Sequence, residues 1–530
     1  ADAAITGGGA INLTALTTDI EIGGALTNTA TGASSITLRA NRHVNLETNG
    51  EILSTGGGAK DVRLWADTDA DGDGIVFIES AGVSTAGGNL TFGQSGQTAT
   101  IGGETVLVGG DVFFQRGSAQ SLNTGGGDFE LFGETIISNT SGLSLDTGGG
   151  NAHFHGLLDS GNAYAFVDRT GSGGSGSWSA ARTDARNGTA GGAAEGDSYL
   201  INITSRLENA IGGLIANYSG AWIGAYRPNP GGSYDWQWAD GPEGGQNFFL
   251  QAGSGAGGGG DSLVGWFDNF ASGEPNGALD AGGESVGQFF GSEGEWNDLG
   301  INTTYSATQA TQFSVLGFVR ETNLAPSSLT IDTGVGSLTV DGGIGSRKAF
   351  STIYVTAPTT TVNGEGIAST GTQNYSGALT LAGTSNAELT GGLITVGGNL
   401  TGSISGTLTQ NAPLAATTDL VLTSSTAWDL QATQTINSLS MDAATAISNS
   451  NGGAALTVSG PASLANTITT GGEQTYQGAV TLVADTTLNT TQSNIIFNST
   501  VDSDDPGTPR NLSANVTPGT TYYWVDWQTW

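Results

Sequence analysis

The sequence predicts a mainly β chain, a right-handed parallel β-solenoid rod interrupted once by a segment of different character. Three observations predict it. Short stretches of alternating polarity recur about every 8–12 residues, with Gly, Asn and Asp between them. Phrases return without a strict period: Ser54-Thr55-Gly56-Gly57, Ser84-Thr85-Ala86-Gly87, Asn123-Thr124-Gly125-Gly126 and Asp146-Thr147-Gly148-Gly149. The composition, with 89 Gly, 11 Pro and two lysines (Lys60 and Lys348), suits tight corners and closely stacked rungs.

Each early phrase leads into a strand pattern, as in Asn89-Leu90-Thr91-Phe92 and Asp128-Phe129-Glu130-Leu131. A second repeat lies further on, where Gln373-Asn374-Tyr375-Ser376-Gly377-Ala378 returns as Gln474-Thr475-Tyr476-Gln477-Gly478-Ala479. In a solenoid, aliphatic residues turn inward and Thr, Ser and Asn outward. Each coil of roughly 20–25 residues adds a rung about 4.8 Å high. The roughly 370 residues outside the interruption then make a rod about 70–90 Å long. A string of tandem β-sandwiches is the competing reading of the same strand spacing.

Charge and composition exclude several classes. Lys and Arg number 14 against 48 Asp and Glu, a net charge of −34, which is the opposite of what phosphate backbones require, so no nucleic-acid partner is expected. No apolar run approaches the ~20 residues of a membrane span, so no transmembrane segment is expected. The chain has no Cys, hence neither disulfides nor thiolate metal sites. The aromatic content argues against a chain kept unfolded by its charge.

The phrases Ala40-Asn41-Arg42-His43-Val44-Asn45-Leu46, Leu64-Trp65-Ala66-Asp67, Val340-Asp341-Gly342-Gly343-Ile344-Gly345 and Val501-Asp502-Ser503 resemble repeats of filamentous-haemagglutinin-type bacterial adhesins. The likeness covers residues 1–160 and 323–530. It implies a β-helix rod exported to the bacterial surface or beyond it.

Residues 161–322 break the pattern. Six of the 11 tryptophans lie there (Trp178, Trp222, Trp236, Trp238, Trp266 and Trp296), and so do the helix-compatible stretches 177–186 and 205–214. Such a shift marks a separately folded domain. Its ordered phrases run from Trp178-x-x-Ala181 through Tyr199-Leu200-Ile201-Asn202 and Ala221-Trp222-Ile223-Gly224 to Trp236-Gln237-Trp238-Ala239. They continue with Gly273-Glu274-Pro275-Asn276, Glu295-Trp296-Asn297-Asp298 and Phe318-Val319-Arg320-Glu321. Read on their own, Glu274, Asn276, Glu284, Asn297 and Asp298 are a set of hard oxygen donors suited to Ca²⁺, which takes 6–8 such ligands. Pro275 between two of them predicts a cis bond that turns both side chains to one side.

The series resembles a C-type lectin-like domain over nearly its full length. The resemblance implies an α+β domain inserted in the rod. It also implies a Ca²⁺ held by Glu274, Asn276, Glu284, Asn297 and Asp298, with the same side chains binding two vicinal sugar hydroxyls. The order Glu-Pro-Asn goes in that family with glycans of the mannose, glucose or fucose type. Two features depart from it. The positions matching the family's half-cystines are Ala185, Val286 and Arg320, which leaves packing to hold the loops. A glycine-rich insertion, 244–261, precedes the site.

Other candidates are weaker. Asp67, Asp69, Asp71 and Asp73 alternate along one run as a second calcium candidate, although the EF-hand pattern fails because the twelfth position from Asp67 is Ile78. His153 and His155 share a strand face with no third ligand nearby, and read as a solvated pair. The scattered cations do not build a lyase site, and no enzyme is expected. The aromatic C-terminus, with Trp524, Trp527 and Trp530, reads either as a capping strand or as a surface for head-to-tail self-association. Ala1 and the missing leader pattern suggest a processed chain or a fragment.

The expectation is therefore an extracellular bacterial adhesin or filament subunit displaying a Ca²⁺-dependent lectin domain. A purely structural filament is the alternative, and a polysaccharide-active enzyme comes third.

Overall fold

A computed structural model describes residues 5–101, 104–115, 117–169, 176–188, 197–228, 235–252, 259–263, 265–277, 284–291, 294–304, 314–383, 386–423, 427–491 and 493–517. Trp524, Trp527 and Trp530, named above for assembly, lie outside the described residues.

The chain is mainly β: a parallel β-solenoid rod with few helices. Strand pairs with strand one coil on, always parallel, so that Leu122 faces Leu145, Ile331 faces Val355 and Tyr375 faces Val396. The sequence offset between such partners, roughly 20–25 residues, is the length of one coil. Most inward positions are apolar, because a polar side chain there loses its water unless a hydrogen bond replaces it. One inward column runs Leu38, Leu64, Phe92, Leu131, Phe154, Val340, Val362 and Leu381, all buried and each over the next.

The two repeat phrases acquire physical meaning. In the first, Thr85, Thr124 and Thr147 are buried at a corner, whereas Thr55 of the earliest copy is exposed. The Thr124 hydroxyl faces the carbonyl of Gly127 in its own coil and that of Thr147 in the next, at 3.0 Å. Thr85 and Thr333 repeat the arrangement with Gly88 and Gly336. The following residues adopt left-handed backbone (Gly125 φ 64°, Gly126 φ 123°), which favours glycine. Thr124→Val, which keeps the shape and removes the donor, is expected to cost about 1–2 kcal/mol in denaturant unfolding. An unchanged midpoint would mean that these hydroxyls only fill space.

In the second repeat, Tyr375 and Tyr476 are buried, and their hydroxyls donate to Gln373 Oε1 (3.1 Å) and Gln474 Oε1 (3.0 Å) two residues before. Each glutamine amide in turn donates to backbone, at Thr390 O and Asn489 O (both 2.8 Å). The Gln-x-Tyr spacing recurs because it satisfies a buried hydroxyl on the inward face.

The chain leaves the rod after Leu158–Ser160 and returns at Ser328–Asp332, yet the pairing continues as if nothing intervened: Leu145 stacks on Ile331 and Phe154 on Val340. The excursion opens and closes with the antiparallel pair Ala163–Asp168 and Gly317–Thr322. Between them lie helix α1 (Trp178–Asn187), helix α2 (Arg206–Ile215) and a largely antiparallel sheet. Ser177 and Ser205 cap the helices by accepting from the amides of Ala180 and Glu208. Trp222, Trp236, Trp238 and Trp296 are fully buried within this unit.

The unit lies along the rod's outer surface. The rod strands Val76–Ile78 and Val112–Gln115 are apolar on both faces there. Phe77 stacks on Phe113 (5.2 Å between centroids), and Phe113 meets Tyr164 edge-on (5.7 Å). The Arg42 guanidinium lies 4.2 Å over the Tyr218 ring. At the centre of the contact, Arg206, the first residue of α2, pairs with the fully buried carboxylate of Asp111 and donates to Gly72 O at 3.0 Å. Among the described residues no helix is long and apolar enough to cross a membrane.

Candidate functional site

Glu274, Asn276, Glu284 and Asp298 meet where a loop crosses the hairpin of strands Glu284–Phe290 and Glu295–Gly300. The Glu274–Pro275 peptide bond is cis. Asp298 is buried and accepts from the amides of Asn276 (3.0 Å, Oδ1) and Gly277 (2.8 Å, Oδ2), so it holds the loop as well as facing it. A Cβ on Gly277 would fall 2.6 Å from Asp298 Oδ2 and 2.7 Å from Glu284 Cβ, so only glycine lets the loop approach this closely. Behind the loop, Gly277 O accepts from Gln251 Nε2 (3.0 Å), and the buried Arg227 donates to Glu284 O (2.9 Å). The Asn297 side chain is buried and donates to Asp298 O (2.9 Å).

Electrostatically the cluster is a concentration of acid. Burial, then Asp298 and Glu284, push the Glu274 carboxyl up to about 8. Burial and Asp298 raise Glu284 as well. One oxygen of Glu274 is buried without a hydrogen-bond partner. A divalent cation would relieve both the repulsion and the unmet oxygen, and the donors are the hard oxygens Ca²⁺ prefers. The carboxylates do not, however, converge within 4.8 Å as a set of three, whereas two other groups do so among the described residues.

Two features singled out in the sequence are visible here. Ala185 and Val286 are buried in one apolar cluster with Trp178, Trp222 and Phe318, and Arg320 packs closely against Gly188 at the end of α1. Packing thus surrounds all three positions. The described parts of the insertion form strands Asn247–Gln251 and Gly260–Ser262, paired antiparallel. Gly259 N donates to Pro275 O (3.1 Å), so this segment flanks the acid loop.

The second acidic run also gathers. Asp67, Asp71 and Asp73 bring carboxylate oxygens within 4.8 Å of one another, while Asp69 turns away to accept from Asn41. Left-handed backbone at Asp67 (φ 48°), Ala70 (φ 61°) and Gly72 (φ 95°) curls the loop back on itself. The amides of Asp71 (3.1 Å) and Gly72 (3.2 Å) then donate to the Asp67 carboxylate. Burial pushes Asp67 up to about 8, and burial with the adjacent Asp71 pushes Asp73 up to about 9.

The second group within 4.8 Å corrects the reading of His153 and His155 as a solvated pair. Asp341, 188 residues after His153 in the chain, lies beside both rings. Sequence inspection missed it because the coil that brings it there begins only after the interruption. The doubly apolar rod strands were also missed, although Ile75-Val76-Phe77-Ile78 and Val112-Phe113-Phe114 carry the signal, unbroken apolar runs where most rod strands alternate.

Compared with protein-family models, with curated proteins and with solved structures, the chain has no significant match.

Proposed function

We propose that this chain is an extracellular bacterial adhesin in which a β-solenoid rod carries a C-type lectin-like, Ca²⁺-dependent carbohydrate-binding domain, residues 161–322. The observation that carries the reading is the crossing of the Glu274–Asn276 loop over Glu284 and Asp298. Acidic and amide oxygens lie beside one another there, and the neighbouring charges that act on Glu274 are those of Asp298 and Glu284. A Ca²⁺ at that point offers its remaining coordination positions to two adjacent hydroxyls of a sugar. Glu274 and Asn276 would then fix which diol of the mannose, glucose or fucose class is accepted. Rigid elements behind the loop support precise placement, and repeated display along a surface would compensate for the weak affinity of single sugar sites.

A glycan array probed with the full chain is expected to show mannose-type ligands in Ca²⁺ and none in EGTA. Paired Glu274→Gln and Asn276→Asp substitutions should abolish or redirect the signal. Binding that persists in EGTA, or is unchanged in the paired variant, would sink the mechanism. A second reading, a purely structural filament with a silent lectin-like decoration, is favoured by the extensive packing of the unit against the rod, and predicts polymeric chain with no glycan signal.

A further inference from the structure

His153, His155 and Asp341 form a site of different chemistry from the acidic loops. His153 Nε2 lies 2.8 Å and His155 Nδ1 3.2 Å from the same oxygen, Asp341 Oδ2. The ring centroids are 3.7 Å apart. Imidazole nitrogens beside a carboxylate oxygen are a donor set that transition metals favour.

Each ligand is held from behind. Asn363, on the next coil, donates to the other Asp341 oxygen at 2.9 Å and so leaves Oδ2 for the histidines. The His155 ring is stacked on Phe132 at 4.3 Å between centroids. His153 sits in the rigid strand Ala152–Phe154, paired on both sides. The Asn363 bond is the kind of hydrogen-bonded support metal ligands commonly have, while His155 Nε2 is buried without a hydrogen-bond partner, so that ring is held from behind by stacking alone.

We propose that His153, His155 and Asp341 bind a divalent transition-metal ion of the zinc type, with solvent-facing coordination positions left open. A tetrahedral ion with bonds of about 2.0–2.1 Å sets its ligand atoms about 3.3 Å apart. The separations of 2.8 Å and 3.2 Å therefore need only small adjustments. Each ring contributes the lone pair of the nitrogen now facing Asp341, and the proton there passes to the ring's other nitrogen. Two nitrogens and one carboxylate suit Zn²⁺ rather than Ca²⁺, which takes oxygen. The side chains keep 31, 20 and 37 % of their surface open, which leaves room for a water or an outside ligand. The histidines precede the interruption and Asp341 follows it, so the ion would tie the rod together across the seam.

Titration calorimetry of Zn²⁺ into the full chain, with saturating Ca²⁺ to occupy oxygen-donor sites, tests this. One zinc per chain is expected, with affinity falling at least about tenfold in His153→Ala and in Asp341→Asn, and about tenfold in Asn363→Ala. Co²⁺ should give the visible absorption of a low-coordinate site, lost in the same variants. His153 faces solvent, so its variant remains decisive should Asp341→Asn fold poorly. Absence of zinc uptake, or uptake unchanged in His153→Ala, would overturn the proposal.

Discussion

Asp111→Ala is expected to cost about 3–5 kcal/mol, because it leaves the Arg206 guanidinium buried at the rod surface without its carboxylate. Asp111 is fully buried and also accepts from the Glu134 amide (2.7 Å), so the loss strikes the rung as well as the contact. The effect should be lopsided. The middle unit holds the buried tryptophans Trp222, Trp236, Trp238 and Trp296, and tryptophan emission should report an early transition as the unit loosens, ahead of the rod's β-signal. Pairing Asp111→Leu with Arg206→Met should recover the part due to the unpaired charge, while the Glu134 amide stays without its acceptor. A single unshifted transition in Asp111→Ala would show that the Phe77, Phe113 and Tyr164 contacts hold the unit alone.

The second large effect is a coupling of pH and calcium. Glu274, Asp67 and Asp73 have folded values near 8, 8 and 9 against ordinary values of 4.5, 3.8 and 3.8. Each is raised on folding, so its contribution is full below the ordinary value and is lost as pH rises toward the folded one. In EGTA, melting temperature should fall by several degrees between pH 6.5 and 8. His43, buried and held down to about 4, adds nothing to this slope, because its contribution is already full above 6.5. Glu321, pushed up to about 8 by burial and Glu208, adds a slope of the same sign that calcium does not touch. Added Ca²⁺ should therefore flatten most of the slope and raise the melting temperature most at pH 8. Thermal scans at the two pH values, with EGTA and with Ca²⁺, check this. Identical slopes in both would show that neither acidic loop holds the ion.

The rod was readable because its physics is local. Alternation, as in Ser337-Leu338-Thr339-Val340, reports inward and outward positions within one strand. The Thr-Gly-Gly phrases report corners with left-handed backbone, and at Thr124 and Thr147 a buried hydroxyl as well. The helices were readable for the same reason, since Ser177 and Ser205 announce their starts. The oxygen donors of the Glu274 loop could be named from sequence, but their separations could not, because they depend on how the loop crosses the hairpin. Asp341 beside His153, and Arg206 beside Asp111, were illegible. Each pairing joins residues far apart in sequence through the stacking of coils or the docking of one unit on another, and no local pattern encodes that.

The uninterrupted pairing across the excursion also bears on the order in which the chain folds. Leu145 must find Ile331 across the whole length of the middle unit, where an ordinary rung closes over a single coil. For an unfolded intervening chain the longer closure costs about 2 kcal/mol more, and search time grows with it. Once Ala163 has paired with Thr322, only the short stretches from Leu145 to Ala163 and from Thr322 to Ile331 remain to be closed, together close to one normal coil. Folding of the middle unit thus acts as a splint: it converts the most distant joint in the rod into a local one, and the two halves of the rod can then join at the pace of any other rung.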